Sequence, residues 1–387
     1  MNNNSIPFLM ELSENQIMIR DTVRDFCEKT IRPVYMQFDE SQEFPMDIMR
    51  QLGELGFLGI LVSEEFSGAG LGYVEYAIIV EELAKIDPSI SLSVAAHNGL
   101  CTNHIYQFAN ESQRKKYVPD LASGKKIGAW GLTESFSGSD AAGLKSTAQK
   151  NGDKYILNGS KNFITHGGVG ETAVVMAITD KDKGKKGISA FILEKGMKGF
   201  IVGKKENKLG MRASETVQLT FDSCEVPAEN LLGNEGEGFT QAMKILEGGR
   251  ISIAALSVGL AQGCLDASIK YSKERKQFGK SLSEFQATQF KLSQMATNIE
   301  AARLLTYKAA VMKDQGKPNT KEAAMAKLFA SEIAEKCAND AVQIFGGYGY
   351  IKDYPVEKFY RDVKLLTIGE GTSEIQRIVI ARDYLKE

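Results

Sequence analysis

The pattern of apolar and polar residues divides the chain into three stretches of different periodicity. From about Ser13 to Leu121, apolar residues recur mostly at the three- and four-residue spacing of amphipathic helices. From about Lys126 to Pro227, short runs rich in β-branched and aromatic residues alternate with turn signals, which indicates strands. Helical spacing returns after Gly238. The pattern predicts a mainly α protein with a central β domain, in three domains: an N-terminal all-α domain (1–125), a middle β domain (126–235) and a C-terminal helical bundle (236–387).

Local signals refine the first stretch. Residues 13–16, Ser-Glu-Asn-Gln, form a candidate capping box, in which the serine caps a helix and the glutamine reaches back to it. A glycine-rich segment at 66–72 interrupts the helical pattern, and a further helix is predicted over 74–85. The N-terminal domain is therefore expected to consist of several helices joined by loops.

The middle stretch carries hairpin signals. Asn-Gly pairs at 151–152 and 158–159 suit tight turns, so a strand–turn meander is expected between Ala148 and Thr165. Spacing of 8–12 residues between strands favours an antiparallel barrel or sandwich over βαβ units. Four more strands are predicted, at 172–179, 188–193, 200–203 and 216–221.

The last stretch predicts helices that are longer than the usual 11–12 residues. Helices of this length usually pack as a bundle, and we expect a four-helix bundle whose length also allows subunits to pack together. The three predicted long helices cover 239–274, 284–315 and 321–346.

Composition narrows the function classes. The chain has 387 residues, with 47 basic and 49 acidic side chains and a net charge of −2, so neither nucleic acid nor an anionic membrane is an expected partner. Five scattered cysteines without a CxxC pair indicate reduced thiols, and three histidines argue against a metal site. The apolar stretch 251–265 is short and interrupted by polar residues, and residues 1–7 lack signal-peptide features. We expect a cytoplasmic protein without a transmembrane helix.

Two segments could bind a cofactor through backbone and cationic groups. Segment 130–140 collects hydroxyls and small residues in one loop, which can either cradle a cofactor or serve as a polar connector. Segment 273–280 breaks a long helix at a basic run, where Arg275 either holds a pyrophosphate or simply offsets the helix dipole.

Two further segments place glycines around chemistry-bearing residues. Segment 343–350 has three glycines among aromatic residues, which allows close approach by a ligand or a second subunit. In segment 368–376, Glu370 lies between two glycines ahead of a helix. A carboxyl buried there would have a raised pKa and could act as a general base, whereas an exposed loop glutamate would have no such role.

Together with 210–227 and 339–370, these segments in this order resemble the acyl-CoA dehydrogenases, flavoenzymes that desaturate acyl-CoA thioesters. The resemblance covers nearly the whole chain and is strongest to the short-chain, butyryl-CoA type. It implies that Glu370 removes the α-proton and that a hydride passes to N5 of FAD, giving a trans-2-enoyl-CoA.

The resemblance also implies binding residues and partners. The implied partners are an acyl-CoA substrate, an electron-transfer flavoprotein and further copies of the chain in a homotetramer, a dimer of dimers. The substrate-binding positions are Ser139, Glu247, Arg250 and Gly371. The FAD-binding positions are Trp130, Leu132, Thr133, Ser139, Phe163, Ile164, Thr165, Arg275, Phe278, Gln286, Gln343, Gly346, Gly347, Thr372 and Glu374.

Four features separate subtypes within this family. Isovaleryl-CoA and long-chain types carry their base at the position of Gly249, so a glutamate at 370 disfavours those types. Segment 87–102 has neither Arg nor Lys, which disfavours a diacid substrate. Gly369 stands where relatives usually have Tyr, and we hypothesise a roomier acyl pocket. Phe163 replaces the usual Trp, so indole stacking on the flavin is lost while a flat apolar face remains.

Two alternatives remain at this stage. A flavin acyl-CoA oxidase would share the fold, although such oxidases are usually longer than 387 residues. A catalytically silent helical scaffold would keep the flavin fold for assembly, but the simultaneous presence of Glu370, Arg275 and the flavin loops argues against it. The sequence leaves open the acyl chain length, the branching and the physiological direction of the reaction.

Overall fold

The computed structural model describes residues 11–386, so the predicted absence of a signal peptide concerns residues outside the described part. The capping box is confirmed: Gln16 N donates to Ser13 Oγ at 3.3 Å, and Ser13 N donates to Gln16 Oε1 at 3.0 Å. Seven α-helices precede the sheet: α1 (Glu14–Phe26), α2 (Tyr35–Ser41), α3 (Met46–Glu54), α4 (Tyr73–Ala84), α5 (Pro88–Ala96), α6 (Asn103–Phe108) and α7 (Glu111–Ala122).

The central part is one eight-stranded sheet. Most neighbouring strands are antiparallel, but β1 pairs with β4 in parallel and β2 touches β4 in parallel at one position, so the sheet is mixed. Along its main path the order is β6-β7-β3-β2-β4-β5-β8. The strands are β1 (Gly128–Gly131), β2 (Thr147–Asn151), β3 (Lys154–Thr165), β4 (Thr172–Ile178), β5 (Ile188–Glu194), β6 (Phe200–Lys205), β7 (Thr216–Pro227) and β8 (Leu231–Leu232).

One of the two predicted turns in this sheet is wrong. The chain does turn between β2 and β3, next to Gly152, but the second Asn-Gly pair lies inside the continuous strand β3. There the pairing with β7 shifts register between Leu157 and Gly159, which marks a bulge. A β-carbon on Gly159 would lie 2.3 Å from Ser146 Oγ. The glycine therefore serves close packing within the sheet and not a reversal of the chain.

The middle strands are buried on both faces because they separate two cores. Val174 and Met176 of β4 pack into a core shared with α6, α7 and the start of the next helix. Ala173 and Val175 point the other way, into the core inside the sheet. This double burial explains why β4 lacks the polar alternation of a half-exposed strand.

The C-terminal part is helical, as predicted. Its longest helix is long and apolar enough to span a membrane, but 83% of its most apolar 18-residue window is buried inside the protein. Its apolar surface is therefore used for the protein core. The elements are α8 (Gly238–Glu274), β9 (Lys276–Gln277), β10 (Lys280–Ser281), α9 (Gln286–Asp314), α10 (Thr320–Phe345), α11 (Val356–Asp362) and α12 (Ser373–Tyr384).

Helix α8 joins the two helical parts of the molecule. β-Carbons at Gly259 and Gly263 would lie 2.2 Å from Glu81 O and 2.5 Å from Lys85 O, so glycine is required for α4 to approach α8. The two helices share one hydrophobic core with α9 and α10. Because α8 runs through this core, the separation of two sites that contact it can be measured along its axis.

Segments 210–227 and 339–370, which carry part of the family resemblance, contact each other where the sheet meets α11. A β-carbon at Gly210 would lie 2.4 Å from the carbonyl of Arg361, and Met211 N donates to Asp362 Oδ1 at 2.5 Å. Asp362 also accepts from the buried Lys358 at 2.6 Å. These residues hold the middle and C-terminal parts together.

Candidate active site

Glu370 lies on the turn between α11 and α12, in a conformation that only a few non-glycine residues adopt. Its φ angle is +55° and that of Gly371 is +92°, so both residues have a backbone conformation with positive φ, in the left-handed region. Such a conformation is costly for a residue with a side chain and persists only where the surroundings fix it. The turn directs the Glu370 carboxyl back toward α8.

The carboxyl of Glu370 fills a space that Gly249 leaves open. A β-carbon at 249 would lie 2.3 Å from Glu370 Oε2 and 2.9 Å from its Cδ. Any side chain on this residue of α8 would therefore displace the carboxyl. A side chain at 249 and the Glu370 carboxyl in its present position therefore cannot coexist.

The electrostatics suit a base that works near neutral pH. Burial raises the pKa of Glu370 to about 7, and the nearby cations Arg250 and Lys327 oppose that rise only in part. Oε2 of Glu370 is buried and has no hydrogen-bond partner within the described chain. A carboxyl that is half deprotonated near pH 7 with a free oxygen can accept a proton.

Of the predicted substrate positions, Arg250 and Gly371 are adjacent in sequence to Gly249 and Glu370, which contact each other. Arg250 is almost wholly buried, its Nε and one terminal nitrogen lack partners among residues 11–386, and burial lowers its pKa. Glu247, one turn earlier on α8, accepts from Thr320 Oγ1 at 2.6 Å. Gly371 O accepts hydrogen bonds from α10 and α12. Ser139 is exposed on the loop after β1.

The loop after β1 is tied to both the helices and the sheet. Trp130 Nε1 donates to His104 Nδ1 at 2.9 Å, and His104 is in turn bonded to Gln241 of α8. Thr133 O accepts from the backbone N–H of Asn162 on β3 at 2.9 Å. Gln241 and Gly249 are eight residues apart, about 12 Å along α8. Trp130 is therefore linked through His104 to a point on α8 about 12 Å from Gly249 along the helix axis.

A buried ion pair fixes the position of this loop. Lys161 Nζ lies 2.6 Å from Glu134 Oε1 and 3.2 Å from Leu132 O, and both charged side chains are almost fully buried. Glu134 also accepts from the backbone N–H groups of Lys145 and Ser146. The positions of Leu132 and Thr133 are thus fixed by contacts within one chain.

Strand β3 presents an aromatic ring next to this loop. Phe163 has φ +59° and is 66% exposed, within an irregularity of the β3–β7 pairing between Lys161 and Ile164. Bulges of this kind often redirect a side chain. Ile164 is buried and Thr165 is half-buried, so of the three predicted residues on this strand only the phenylalanine offers a free face.

A second group of predicted cofactor residues lies at the far end of α8. Arg275 follows the last residue of that helix and lies 5.3 Å from the Tyr348 ring centroid. It lines an open cavity of about 570 Å³ together with Gly346 and Gly347. Phe278 is 94% exposed. Gln286 and Gln343 are also exposed on α9 and α10.

The structure does not bring this second group to Glu370. Arg275 and Gly249 are 26 residues apart on one continuous helix, about 39 Å along its axis. Thr372 and Glu374, in contrast, follow Glu370 directly, and Thr372 caps α12 by accepting from Ile375 N at 3.3 Å. The predicted site is therefore divided into a base end and a distal end.

Two residues at the base end were missed by sequence reasoning. Lys327 Nζ donates to Gly371 O at 2.8 Å, and Gln376 Nε2 donates to the same oxygen at 2.9 Å. A signal for Lys327 was available, because it occupies the buried stripe of α10 that also contains Ala323 and Ser331. A lysine in such a stripe needs a partner. Gln376 carried no comparable signal.

Comparisons with known proteins agree with this geometry. Three family profiles match consecutive parts of the chain: acyl-CoA dehydrogenase N-terminal domain at 13–125, middle domain at 129–224 and C-terminal domain at 236–385. A short-chain specific acyl-CoA dehydrogenase of Clostridium acetobutylicum is 49% identical over 370 residues, which is 96% of this chain and 98% of that protein.

Solved structures give the same result. The butyryl-CoA dehydrogenase of Megasphaera elsdenii superposes with a TM-score of 0.96 at 45% identity, covering 98% of this chain and 100% of that one. A chain solved in work on the electron transferring flavoprotein of Acidaminococcus fermentans has a TM-score of 0.97 at 50% identity, with 98% and 100% coverage. This protein belongs to the acyl-CoA dehydrogenase family.

Proposed function

We propose that this protein removes the α-proton of a short-chain acyl-CoA thioester with Glu370 and so forms a trans-2-enoyl-CoA with FAD as cofactor. Membership in a family of flavoproteins supports the reaction class. The similarity to short-chain specific and butyryl-CoA enzymes supports the chain length.

The observation that carries the proposal is the environment of the Glu370 carboxyl. Glu370 is half-buried, its Oε2 is buried without a partner in the described chain, and desolvation raises its pKa to about 7. A carboxylate in water is far too weak a base for an α-C–H group. Desolvation reduces the difference in proton affinity between the base and the carbon acid, which is how such sites reach useful rates.

The turn also offers a donor for the charge that develops on the thioester oxygen. The hydrogen bonds found in residues 11–386 include none from the backbone N–H of Glu370, whose carbonyl accepts from Gln376. A free N–H beside the base can stabilise an enolate-like oxygen. We assign this role to the Glu370 N–H.

The residues fit an FAD cofactor, which when bound would accept the hydride leaving the β-carbon. Asn162 Oδ1 and Ser373 Oγ are buried polar atoms without partners in the described chain, next to the β3 and α12 positions predicted to contact the flavin. Phe163, the residue after Asn162, presents an exposed ring. At the distal end, Arg275 and the open backbone at Gly346 suit an anionic pyrophosphate.

The separation of the two ends supports a shared cofactor site. No extended dinucleotide reaches across about 39 Å of α8 together with the loops at either end. We therefore propose that Arg275, Phe278 and Gln286 serve the cofactor of a neighbouring subunit, within a homotetramer built as a dimer of dimers. The strong exposure of Phe278 in one chain agrees with burial against a second copy.

The proposal extends to the electron acceptor and to the location of the protein. Similarity to a chain solved in work on an electron transferring flavoprotein supports a protein of that class as the acceptor. The similarity to bacterial relatives supports the predicted cytoplasmic location.

The shape of the turn bears on substrate choice. A β-carbon at Gly369 would meet only ordinary contacts, the nearest being Leu365 O at 3.5 Å. The backbone there accepts a larger residue, so the glycine leaves space that relatives with a tyrosine fill. We propose that the pocket admits branched as well as straight short acyl chains.

The test is anaerobic bleaching of the flavin by a panel of straight, branched and dicarboxylic acyl-CoAs. Wild type is expected to bleach fastest with short monocarboxylic chains. Glu370→Gln should keep its FAD and lose at least about 10²–10⁴-fold in bleaching rate, since it removes the general base. Glu54→Gln, an exposed glutamate at the end of α3, is the matched control and should bleach like wild type.

Three results would contradict the proposal. Undiminished bleaching by Glu370→Gln would remove the assigned base, and purified protein without a yellow chromophore would favour a silent scaffold. Rapid reoxidation of the bleached enzyme by air, without an acceptor protein, would favour an oxidase.

A further inference from the structure

Helix α10 carries a lysine where its neighbours are small and apolar. Lys327 is fully buried, and the residues one turn to either side, Ala323 and Ser331, are buried as well. Burying an ammonium group is costly unless it is paired or hydrogen-bonded. A residue of this kind in a packed helix stripe requires a reason beyond packing.

The ammonium of Lys327 is aimed at the turn that carries the base. Its Nζ donates to Gly371 O at 2.8 Å, and Gln376 Nε2 donates to Gly371 O at 2.9 Å and to Glu370 O at 3.2 Å. These bonds hold both carbonyls of a left-handed pair of residues, with φ of +55° and +92°. Two buried donors thus fix the backbone conformation that points the carboxyl at Gly249.

Charged and titratable groups face the Glu370 carboxyl from three helices. Arg250 on α8 and Lys327 on α10 act on it as cations, while the phenol of Tyr76 on α4 stays neutral because burial raises its pKa. Glu374 on α12 and Glu332 on α10 act on Lys327 as anions, while burial lowers the pKa of its ammonium to about 8. The ion pairs within 4.0 Å in residues 11–386 do not include Glu370, so both cations act at a distance and leave its oxygens free.

We propose that Lys327 is a positioning residue for Glu370, whose ammonium holds the Gly371 carbonyl and whose charge favours the deprotonated base. The inference deepens the proposed function and rests on it. Arg250 alone could supply a positive charge, but it makes no hydrogen bond to the turn. Lys327 combines both effects in one side chain.

Two substitutions separate the two effects. Lys327→Met removes the charge and the donor while keeping an apolar chain of similar length. Lys327→Gln removes the charge but keeps an N–H donor that can face Gly371 O. Lys336→Met, an exposed lysine on the same helix, is the matched control. FAD content and thermal unfolding of each holoenzyme establish that the variants are folded.

The first measurement needs no substrate. The infrared band of the protonated Glu370 carboxyl is identified as the band missing in Glu370→Gln and is then titrated with pH. Removal of one nearby cation should raise its midpoint by about one pH unit or more in both Lys327 variants. Lys336→Met should leave the midpoint unchanged.

The second measurement is the rate of anaerobic flavin bleaching by butyryl-CoA against pH. The pH at which the bleaching rate falls on the acid side should rise together with the infrared midpoint. Below that pH, both variants should bleach about tenfold more slowly than wild type. At high pH the base is deprotonated and the Lys327 ammonium, whose pKa burial lowers to about 8, also loses its charge in wild type. Only the donor to Gly371 O then distinguishes the proteins, so Lys327→Gln should approach the wild-type rate and Lys327→Met should stay slower.

The outcomes are distinguishable. A wild-type infrared midpoint in both variants at full FAD content would overturn the inference, because a lysine that only fills space does not move that titration. If the midpoint shifts in both variants but no acyl-CoA bleaches the flavin of the wild-type enzyme, the result would support the role of Lys327 and contradict the proposed function.

Discussion

The two ends of α8 differ in how much of the site a single chain completes. At the base end, Glu370 fits against Gly249, and its turn is held by donors from two other helices. At the distal end, Arg275 borders an open cavity and Phe278 is almost fully exposed. The base end is held by contacts within one chain, whereas the distal end presents exposed side chains around an open cavity.

This difference indicates which properties depend on assembly. Proton abstraction relies on contacts inside one chain and should tolerate changes in subunit contacts as long as the flavin stays bound. Cofactor retention should depend on the distal end and therefore on a second copy.

The largest effect is expected from mixing two inactive proteins. Glu370→Gln lacks the base, and Arg275→Gln should lack tightly bound FAD, so each alone should have almost no activity. If Arg275 serves the cofactor of a neighbour, co-expressed hybrids combine an intact base with a cofactor held by the other chain. We then expect activity to rise from near zero to a substantial fraction of wild type.

The hybrids are isolated with two different affinity tags, and their flavin bleaching by butyryl-CoA is compared with that of each parent. Hybrids as inactive as both parents would place Arg275 and the base at the same cofactor. That outcome would break the comparison between the two ends of α8.

The next effect concerns the base end alone. Gly249→Ala places a β-carbon 2.3 Å from Glu370 Oε2, which is too close, so the carboxyl must move. Displacement of a base by about 1 Å costs on the order of 10²-fold in rate. FAD content should remain at the wild-type level, because the distal end is untouched. Stopped-flow bleaching and the flavin-to-protein ratio measure the two quantities.

Gly347→Ala is the counterpart at the distal end, where an added β-carbon meets nothing within 4 Å in one chain. It should leave the rate per bound flavin unchanged. Equal rates for Gly249→Ala and wild type at full flavin content would show that the carboxyl has room that the structure does not indicate.

The smallest expected effect is on stability. The folded-state pKa of Glu370, about 7, lies above the value of 4.5 in an unfolded chain, so the folded state binds the proton more tightly between these values. The contribution of this group is fully present below pH 4.5 and is lost as the pH rises to about 7. Glu370→Gln should therefore be more stable than wild type above pH 7, by up to about 3 kcal/mol.

Urea unfolding of both proteins at pH 5 and pH 8 measures this difference, which should be larger at the higher pH. A constant difference would mean that Glu370 titrates alike in the folded and unfolded chain. The base end would then not be the desolvated site described above.

The sequence alone predicted the features that depend on local pattern or on recognisable segments. The capping box at Ser13, the long helices and the strands of the middle part follow from periodicity and turn chemistry, and the structure contains them. The family, with Glu370 as the candidate base, followed from short segments in a fixed order. One local signal misled: the Asn-Gly pair ending at Gly159 became a bulge, because its strand continues to pair with β7 on both sides.

Tertiary structure decided what depends on distant residues meeting. The sequence marked Gly249 only as a position without a base, whereas the structure shows that it provides the space for a carboxyl 121 positions later. Lys327 became part of the site only when α10 packed under the turn. The burial that raises the pKa of Glu370 comes from helices that are far apart along the chain. Sequence therefore determined which groups are present, and packing determined their solvation, their neighbours and hence their chemistry.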